Sequence, residues 1–103
     1  MQVEYERCAG IDLHKKTAVT TIMITQADGT VEQHTRTFST MTSDLLALDD
    51  WLGGYGVQIV AMESTGIYWR PVFNILEEGR TIILVNAQHM KAVPGRKVRR
   101  EVA

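Results

Sequence analysis

The sequence has 103 residues, a formal net charge of −1, and 45% hydrophobic and 22% charged residues, values typical of one small globular domain. This composition excludes a disordered chain, and the single cysteine excludes an intrachain disulfide and a cysteine-based zinc cluster. There is no run of about 18 apolar residues, and the polar N-terminus is unlike a signal peptide, so we expect a soluble, cytoplasmic protein without a membrane partner.

The first 39 residues predict three strands joined as a β-meander. Residues 8–13 are a short apolar segment, whereas Thr17–Thr25 and Val31–Ser39 are rich in residues that fit a pleated sheet. Asp28-Gly29 is a strong hairpin signal between the second and third strands. Both faces of the third strand are mostly polar, so we expect that strand at an edge of the sheet.

The rest of the chain predicts two helices that alternate with two strands. Residues 42–52 carry leucines at helical spacing behind hydroxyl side chains that can cap a helix, and residues 57–62 form a nearly continuous apolar strand. Residues 64–66 open a second helix, whose apolar positions i, i+3, i+4 and i+7 begin at Trp69. Thr81–Val85 is a final buried strand.

The element order β-β-β-α-β-α-β defines the expected fold class. Three hairpin-linked strands followed by right-handed crossovers give a mixed α/β sheet with helices on its faces. This is the plan of a ribonuclease H-like (RuvC-like) fold, in which the first strand is central and lies beside the fourth. The helix that follows the fifth strand in that plan is missing or vestigial here.

Two acidic residues stand in apolar segments. Asp12 lies within residues 9–13, and Glu63 ends the fourth strand. A carboxylate there costs desolvation free energy unless it is paired, hydrogen-bonded or metal-bound. If the first and fourth strands are neighbours, Asp12 and Glu63 meet near the carboxyl end of the sheet. Mg²⁺ or Mn²⁺ between them could then support phosphodiester cleavage.

Spacing alone leaves other interpretations of these acids open. Asp12 can cap a turn or pair with Lys15 or Lys16, and Glu63 can cap the following helix. An actin-like ATPase fold also opens with Gly-Ile-Asp, but a Gly-Thr phosphate turn follows in that family. Here Leu13-His14-Lys15 follows instead, which argues against the ATPase interpretation.

Four blocks in order resemble one protein family. They are Gly10-Ile11-Asp12-Leu13-His14-Lys15, Met62-Glu63-Ser64-Thr65-Gly66-Ile67-Tyr68-Trp69, Val85-Asn86 and Pro94-Gly95-Arg96-Lys97. Together they are similar to the N-terminal RuvC-like domain of the DEDD insertion-sequence transposases, the recombinases of the bridge-RNA-guided type. Any single block is weak, but their order over roughly residues 7–97 makes the resemblance specific.

The resemblance implies metal-dependent DNA recombination in the full-length relative, with DNA and a guide RNA as partners. It maps the first Asp of the family's four carboxylates onto Asp12 and the Glu onto Glu63. The other two aspartates follow Pro-Gly-Arg-Lys in the family, whereas residues 98–103 here read Val-Arg-Arg-Glu-Val-Ala. We therefore expect residues 1–97 to be an incomplete, truncated transposase domain and residues 98–103 to be a divergent basic tail.

Half of the carboxylate set is expected to hold Mg²⁺ or Mn²⁺ weakly or not at all, so the chain by itself should be inactive in recombination. Two alternative functions stay open. One is a nucleic-acid-binding or dimerisation module, since exposed sheet edges and an apolar face left by the missing helix favour a homodimer. The other is a stand-alone metal-dependent nuclease, such as a junction resolvase, that uses Asp12, Glu63 and a further acid.

Nine residues are candidate nucleic-acid contacts. Those in the link after the first strand either meet phosphates or are ordinary turn residues. The start of the second helix either binds a phosphate or is simply capped, and a tyrosine there can stack on a base. Residues 91–103 carry five basic residues and one acidic residue, of which three basic residues have family support. The candidates are His14, Lys15, Lys16, Ser64, Thr65, Tyr68, Lys91, Arg96 and Lys97.

Overall fold

The computed structural model describes residues 6–64 and 66–85. These residues form five strands and two helices in the expected order, and neither helix is long and apolar enough to cross a membrane. The elements are β1 (Arg7–Leu13), β2 (Thr17–Thr25), β3 (Val31–Ser39), α1 (Thr42–Gly54), β4 (Ile59–Ser64), α2 (Trp69–Leu76) and β5 (Thr81–Val85). The bounds of β2, β3 and β5 are those that the sequence predicts.

The strands form one mixed sheet in the order β3-β2-β1-β4-β5. β1 pairs antiparallel with β2 and parallel with β4, which confirms that the first strand is central and adjacent to the fourth. β3 is antiparallel to β2 and lies at an edge of the described sheet, as its polar alternation predicted. β5 is parallel to β4 at the other edge. The RuvC-like, ribonuclease H-like fold class is therefore confirmed.

The hairpin between β2 and β3 closes through the side chain of Asp28. Its Oδ1 accepts hydrogen bonds from the backbone N–H of Thr30 at 3.0 Å and from the Thr30 hydroxyl at 2.6 Å. Gly29 follows the aspartate with φ 91°, a conformation that only glycine adopts without strain. The N–H of Gln26 then donates to the Thr30 carbonyl at 2.7 Å. The Asp-Gly pair thus sets the register in which β3 returns along β2.

Both helices pack on the same face of the sheet. The crossovers from β3 to β4 and from β4 to β5 run in the same direction across the sheet, so right-handed connections place α1 and α2 on one side. The helices expected on the faces of the sheet therefore occupy a single face in residues 6–64 and 66–85. The core between helices and sheet includes Ile11, Leu13, Ile22, Leu45, Leu48, Leu52, Val60, Met62, Val72 and Leu76.

An ion pair joins α1 to the turn before β5. Arg80 contacts the carboxylate of Asp49, and the Arg80 side chain is only 7% exposed. The same guanidinium donates to the carbonyl of Leu76 at 3.1 Å and to the carbonyl of Val57 at 3.4 Å. Arg80 thus satisfies acceptors at the end of α2 and before β4 in addition to its ion partner.

The N-terminus of α1 differs from the expectation. The helix begins at Thr42 after the N-cap residue Met41, whose side chain makes no capping hydrogen bond. Asp44, in the first turn, accepts a hydrogen bond from the backbone N–H of Ser39 at 3.2 Å. Hydrogen bonds from the side chain of Ser39 and then from its backbone hold the pKa of Asp44 below its usual value. Asp44 therefore links the helix start to the end of β3.

Replacement of Arg80 by methionine (Arg80→Met) should lower the free energy of unfolding by about 3 kcal/mol, because it leaves Asp49 and two carbonyls without their donor. Urea unfolding followed by circular dichroism measures this change. The control is Asp50→Asn, which alters the exposed neighbour of Asp49 and should cost less than about 0.5 kcal/mol. An Arg80→Met variant as stable as this control would contradict the assigned role.

The lowered pKa of Asp44 predicts a pH-dependent contribution to stability. A carboxylate whose pKa is lower in the folded state stabilises the fold above its unfolded pKa, and that stabilisation is lost as pH falls through the folded pKa. With a usual pKa of 3.8, the contribution of Asp44 should be complete at neutral pH and should decline below about pH 4. Asp44→Asn should therefore flatten the acid side of a plot of urea midpoint against pH, whereas Asp50→Asn should not. Identical plots for Asp44→Asn and wild type would refute this contribution.

Candidate functional site

The parallel pairing of β1 and β4 brings Asp12 and Glu63 side by side. The two residues are register partners, and each is the next-to-last residue of its strand. Neighbouring strands lie about 4.8 Å apart, and residues paired in register share one face of a sheet. Asp12 and Glu63 therefore share the face opposite α1 and α2. The structure brings together the two acids that the sequence singled out, whereas their role stays a prediction.

The carboxylates border a concavity of 410 Å³ on this open face. Gly10 and Ala61 form the neighbouring register pair on the same face. Their small size leaves space beside the acids, since a Cβ atom on Gly10 would lie no closer than 4.0 Å to the Ala61 carbonyl oxygen. The lining is completed by Ile11, Val19, Thr21 and Val85. A small hydrated ion or a nucleic-acid phosphate fits a depression of this kind.

Asp12 is more accessible than a residue in an apolar strand was expected to be. Its side chain is 60% exposed, and Glu63 is half-buried, because no described element covers this face of the sheet. The desolvation cost expected for both acids therefore applies in part to Glu63 and little to Asp12. The main unfavourable effect between them is the repulsion of two like charges on neighbouring strands.

The turn after β1 holds His14 against Asp12. His14 Nε2 lies 3.2 Å from Asp12 Oδ1, and both side chains are more than half exposed. Thr40 anchors the turn, since its hydroxyl donates to the Lys15 carbonyl at 2.8 Å and its N–H donates to the Lys16 carbonyl at 3.3 Å. Both lysines are exposed. The turn thus places His14 beside Asp12 and carries two exposed lysines, whereas their contact with nucleic acid stays a prediction.

The segment after Glu63 corrects the predicted start of the second helix. β4 continues through Ser64, whose side chain alternates to the core side and is 6% exposed. Its hydroxyl has no hydrogen-bond partner within residues 6–64 and 66–85. α2 begins at Trp69, so Ser64 does not lie at a helix N-terminus and cannot present its hydroxyl to a phosphate there. Tyr68 stands at the N-cap of α2 and is 38% exposed.

Four of the predicted nucleic-acid contacts lie outside the described residues. These are Thr65, Lys91, Arg96 and Lys97, and residues 98–103, which are predicted to be a divergent tail, lie there as well. In the described part of the chain, no three His, Cys, Asp or Glu side chains form a group that could hold a metal ion. Among the described residues that line the concavity, Asp12 and Glu63 provide the carboxylate oxygens, which suit Mg²⁺ or Mn²⁺ rather than a soft metal. The donor set therefore fits one weakly held hard cation.

The sequence pattern does not single out the β2 residues that border the acids. Val19 pairs with Asp12, and Thr21 pairs with Gly10. The Thr21 hydroxyl lies 3.0 Å from the Thr35 hydroxyl of β3, which extends the polar surface towards the sheet edge. The sequence shows that Val19 and Thr21 alternate within β2, but their position beside Asp12 depends on the register between β1 and β2.

The fold and the paired acids define a ribonuclease H-like domain. The sequence profile of the DEDD transposases of the IS110 type matches residues 9–101. The chain therefore belongs to this transposase family. No curated protein sequence matches it.

The fold also occurs in solved structures, among them the following two. RuvC from Thermus thermophilus has a TM-score of 0.59 at 16% identity, over 94% of this chain and 75% of the RuvC chain. A member of the Ppx/GppA protein family from Aquifex aeolicus has a TM-score of 0.53 at 16% identity, over 81% of this chain and 36% of that chain. The chain thus spans little more than a third of the Aquifex protein. Identities this low show a common fold and not a common activity.

Relief of the repulsion at the carboxylate pair should be measurable without any ligand. Glu63→Gln removes one like charge and leaves the His14 contact of Asp12 intact, so it should raise the free energy of unfolding in EDTA by about 0.5 kcal/mol. Added Mn²⁺ should reduce the difference in free energy of unfolding between Glu63→Gln and wild type, because the cation stabilises only the wild-type carboxylate pair. Glu78→Gln, at an exposed site before β5, is the control and should show neither effect. A destabilised Glu63→Gln variant would mean that the two charges do not repel each other appreciably.

Proposed function

We propose that this chain is the cation-binding and nucleic-acid-contacting part of a DNA transposase, in which Asp12 and Glu63 hold one Mg²⁺ or Mn²⁺ ion. The observation that carries the proposal is the in-register pairing of the two acids on a face of the sheet that no described element covers. When bound, a divalent cation of this kind would stabilise the negative charge that develops on the phosphate in phosphodiester cleavage. The residues of the chain bind the ion and border the space in which a phosphate would lie.

DNA is the proposed substrate, with a guide RNA as a second nucleic-acid partner in the full-length relative and the cytoplasm as the compartment. The exposed turn of His14, Lys15 and Lys16 supports this part of the proposal, because it lies directly beside the acids. Basic side chains next to a carboxylate pair can hold the phosphate backbone close to a cation. Tyr68, Thr65 and the basic residues of segment 91–97 are proposed as further contacts.

The isolated chain is proposed to bind its cation weakly and not to recombine DNA by itself. Only Asp12 and Glu63 of the family's four carboxylates have counterparts in the 103-residue sequence, since residues 98–103 do not contain the other two. We also propose that the chain acts as a homodimer.

Calorimetric titration with Mn²⁺ tests the cation site. Wild type should bind Mn²⁺ weakly, and Asp12→Asn should lose that binding because one of the two carboxylates becomes a neutral amide. Asp50→Asn, which alters an exposed acid on the helix side, should bind as wild type does. Absence of Mn²⁺ binding in wild type would remove the metal from the proposal. Mg²⁺-dependent nicking of branched DNA by wild type would instead favour a stand-alone nuclease.

Salt dependence of duplex binding tests the basic turn. Lys15→Ala with Lys16→Ala should weaken binding, and each lost phosphate contact should reduce the slope of log affinity against log salt by about 0.9. Arg70→Ala removes an exposed positive charge that stacks on Trp69 in α2 on the helix side, and it should leave the slope unchanged. Fluorescence anisotropy with a labelled duplex measures both. Equal slopes for the lysine variant and for wild type would exclude phosphate contacts by this turn.

A further inference from the structure

The outer side of β3 presents backbone groups that are free to pair in the described sheet. The Gln26 N–H donates to the Thr30 carbonyl, and the Thr40 N–H donates to the Lys16 carbonyl. Hydrogen-bonded pairs alternate along an antiparallel ladder, so the even-numbered residues of β3 bond to β2. The odd-numbered residues direct their N–H and C=O groups away from β2. Four of these residues are Val31, Gln33, Thr35 and Thr37, and the N–H of the fifth, Ser39, already donates to Asp44.

This edge lacks several of the features that usually prevent strands from pairing. Proteins protect exposed edges with short strands, proline, charged side chains (especially lysine) or bulges, and of these β3 has only the charges of Glu32 and Arg36. β3 has nine residues, contains no proline, glycine or lysine, and pairs with β2 in unbroken register from Val31 to Ser39. Val31 is 53% exposed. The edge is therefore long, regular and accessible.

We propose that β3 pairs antiparallel with β3 of a second copy of this chain, around a two-fold axis that passes through His34. The result is one continuous sheet across the dimer. The proposal specifies the surface of the homodimer proposed above and does not depend on the cation site.

The charges of β3 select this register. With the axis at His34, Glu32 faces the partner's Arg36, and Arg36 faces the partner's Glu32. An axis at Glu32 or at Arg36 would bring like charges together, and an axis at Thr35 would place Arg36 opposite the partner's His34. Opposite charges across strands are favourable, whereas like charges directly opposite are unfavourable. An axis at His34 is therefore the register that satisfies both charges of each copy.

The side chains are already arranged for this pairing. The Arg36 guanidinium lies 4.8 Å from the ring centre of Phe38, and the His34 ring lies 4.7 Å from that of Tyr55. These contacts hold both side chains on the α1 side of the sheet, where Glu32 also contacts His34. The side chain of Glu32 is 43% exposed. In the even-numbered pairs the Cα atoms approach to about 4.5 Å, which brings these side chains within reach of their counterparts.

The test is a charge exchange between two variants, followed by sedimentation velocity. In a dimer of either single variant, Arg36→Glu or Glu32→Arg, residues 32 and 36 carry the same charge and face each other across the axis. Each variant should therefore dimerise about tenfold more weakly than wild type. An equimolar mixture should recover the dimer, because every charge then faces its opposite in the mixed pair. Misfolded variants would not be rescued by mixing, so recovery separates a lost interface from a lost fold. Arg70→Ala, on α2, is the control and should dimerise as wild type does.

Oxidative cross-linking tests the position of the axis independently. His34→Cys places two thiols directly opposite each other, within the distance that a disulfide spans, and should form a covalent dimer. Arg36→Cys should not, because its two copies would lie about four residues apart along the paired strands. A dimer that is unaffected by both charge changes and not cross-linked at position 34 would overturn the β3 interface alone. A monomeric wild type would overturn the proposed homodimer as well, and neither result would bear on Mn²⁺ binding.

Discussion

The central place of β1 in the sheet fixes the position of almost everything else. β1 pairs with β2 on one side and with β4 on the other, so its register determines which residues of three strands share a face. Successive residues of a strand point to opposite faces, and a shift by one residue would exchange them. Such a shift would turn Asp12 into the core and expose Leu13, which is 1% exposed. The burial of the core and the juxtaposition of the acids are thus set by the same pairing.

The right-handed crossovers place the packed core and the carboxylate pair on opposite faces of the sheet. Because α1 and α2 lie on one face, the apolar side chains of β1 and β4 are buried on that side, and the carboxylates stand on the other. A repulsive pair of acids can then be kept without disturbing the packed layer, since its charges stay partly hydrated. The small residues Gly10 and Ala61 extend this open surface rather than filling it.

Much of this arrangement follows from the sequence alone, for reasons that particular elements make clear. The sequence predicts the bounds of β2 and β3 correctly, because β-branched residues and the Asp28-Gly29 turn favour strands and a hairpin through local interactions. The start of α2 differs from the prediction because strand pairing of Ser64 with Leu13 of β1 outweighs a helix signal at the next residues. The exposure of Asp12 could not be predicted, since it depends on which face the helices cover. The sequence does not identify Val19 and Thr21 as residues of the site, because only the pairing of β2 with β1 brings them beside the acids.

Pairing through the β3 edge would determine how the carboxylate pairs of two copies lie relative to each other. A two-fold axis perpendicular to the sheet keeps corresponding faces of the two copies on the same side. Both carboxylate pairs would therefore open onto one continuous surface, because Thr35 of β3 and Asp12 of β1 already share a face through Thr21. Five strand spacings of about 4.8 Å separate β1 from its counterpart in such a dimer, or roughly 24 Å before twist is considered. Asp12 aligns through Val19 with Thr37, three residues from the axis, so the two sites are also offset by about six residues, or roughly 20 Å, along the strands. Two sites roughly 30 Å apart on one face could contact a single nucleic acid, whereas sites on opposite faces could not. The geometry of the edge thus bears directly on how a transposase domain with an uncovered sheet would meet its substrate.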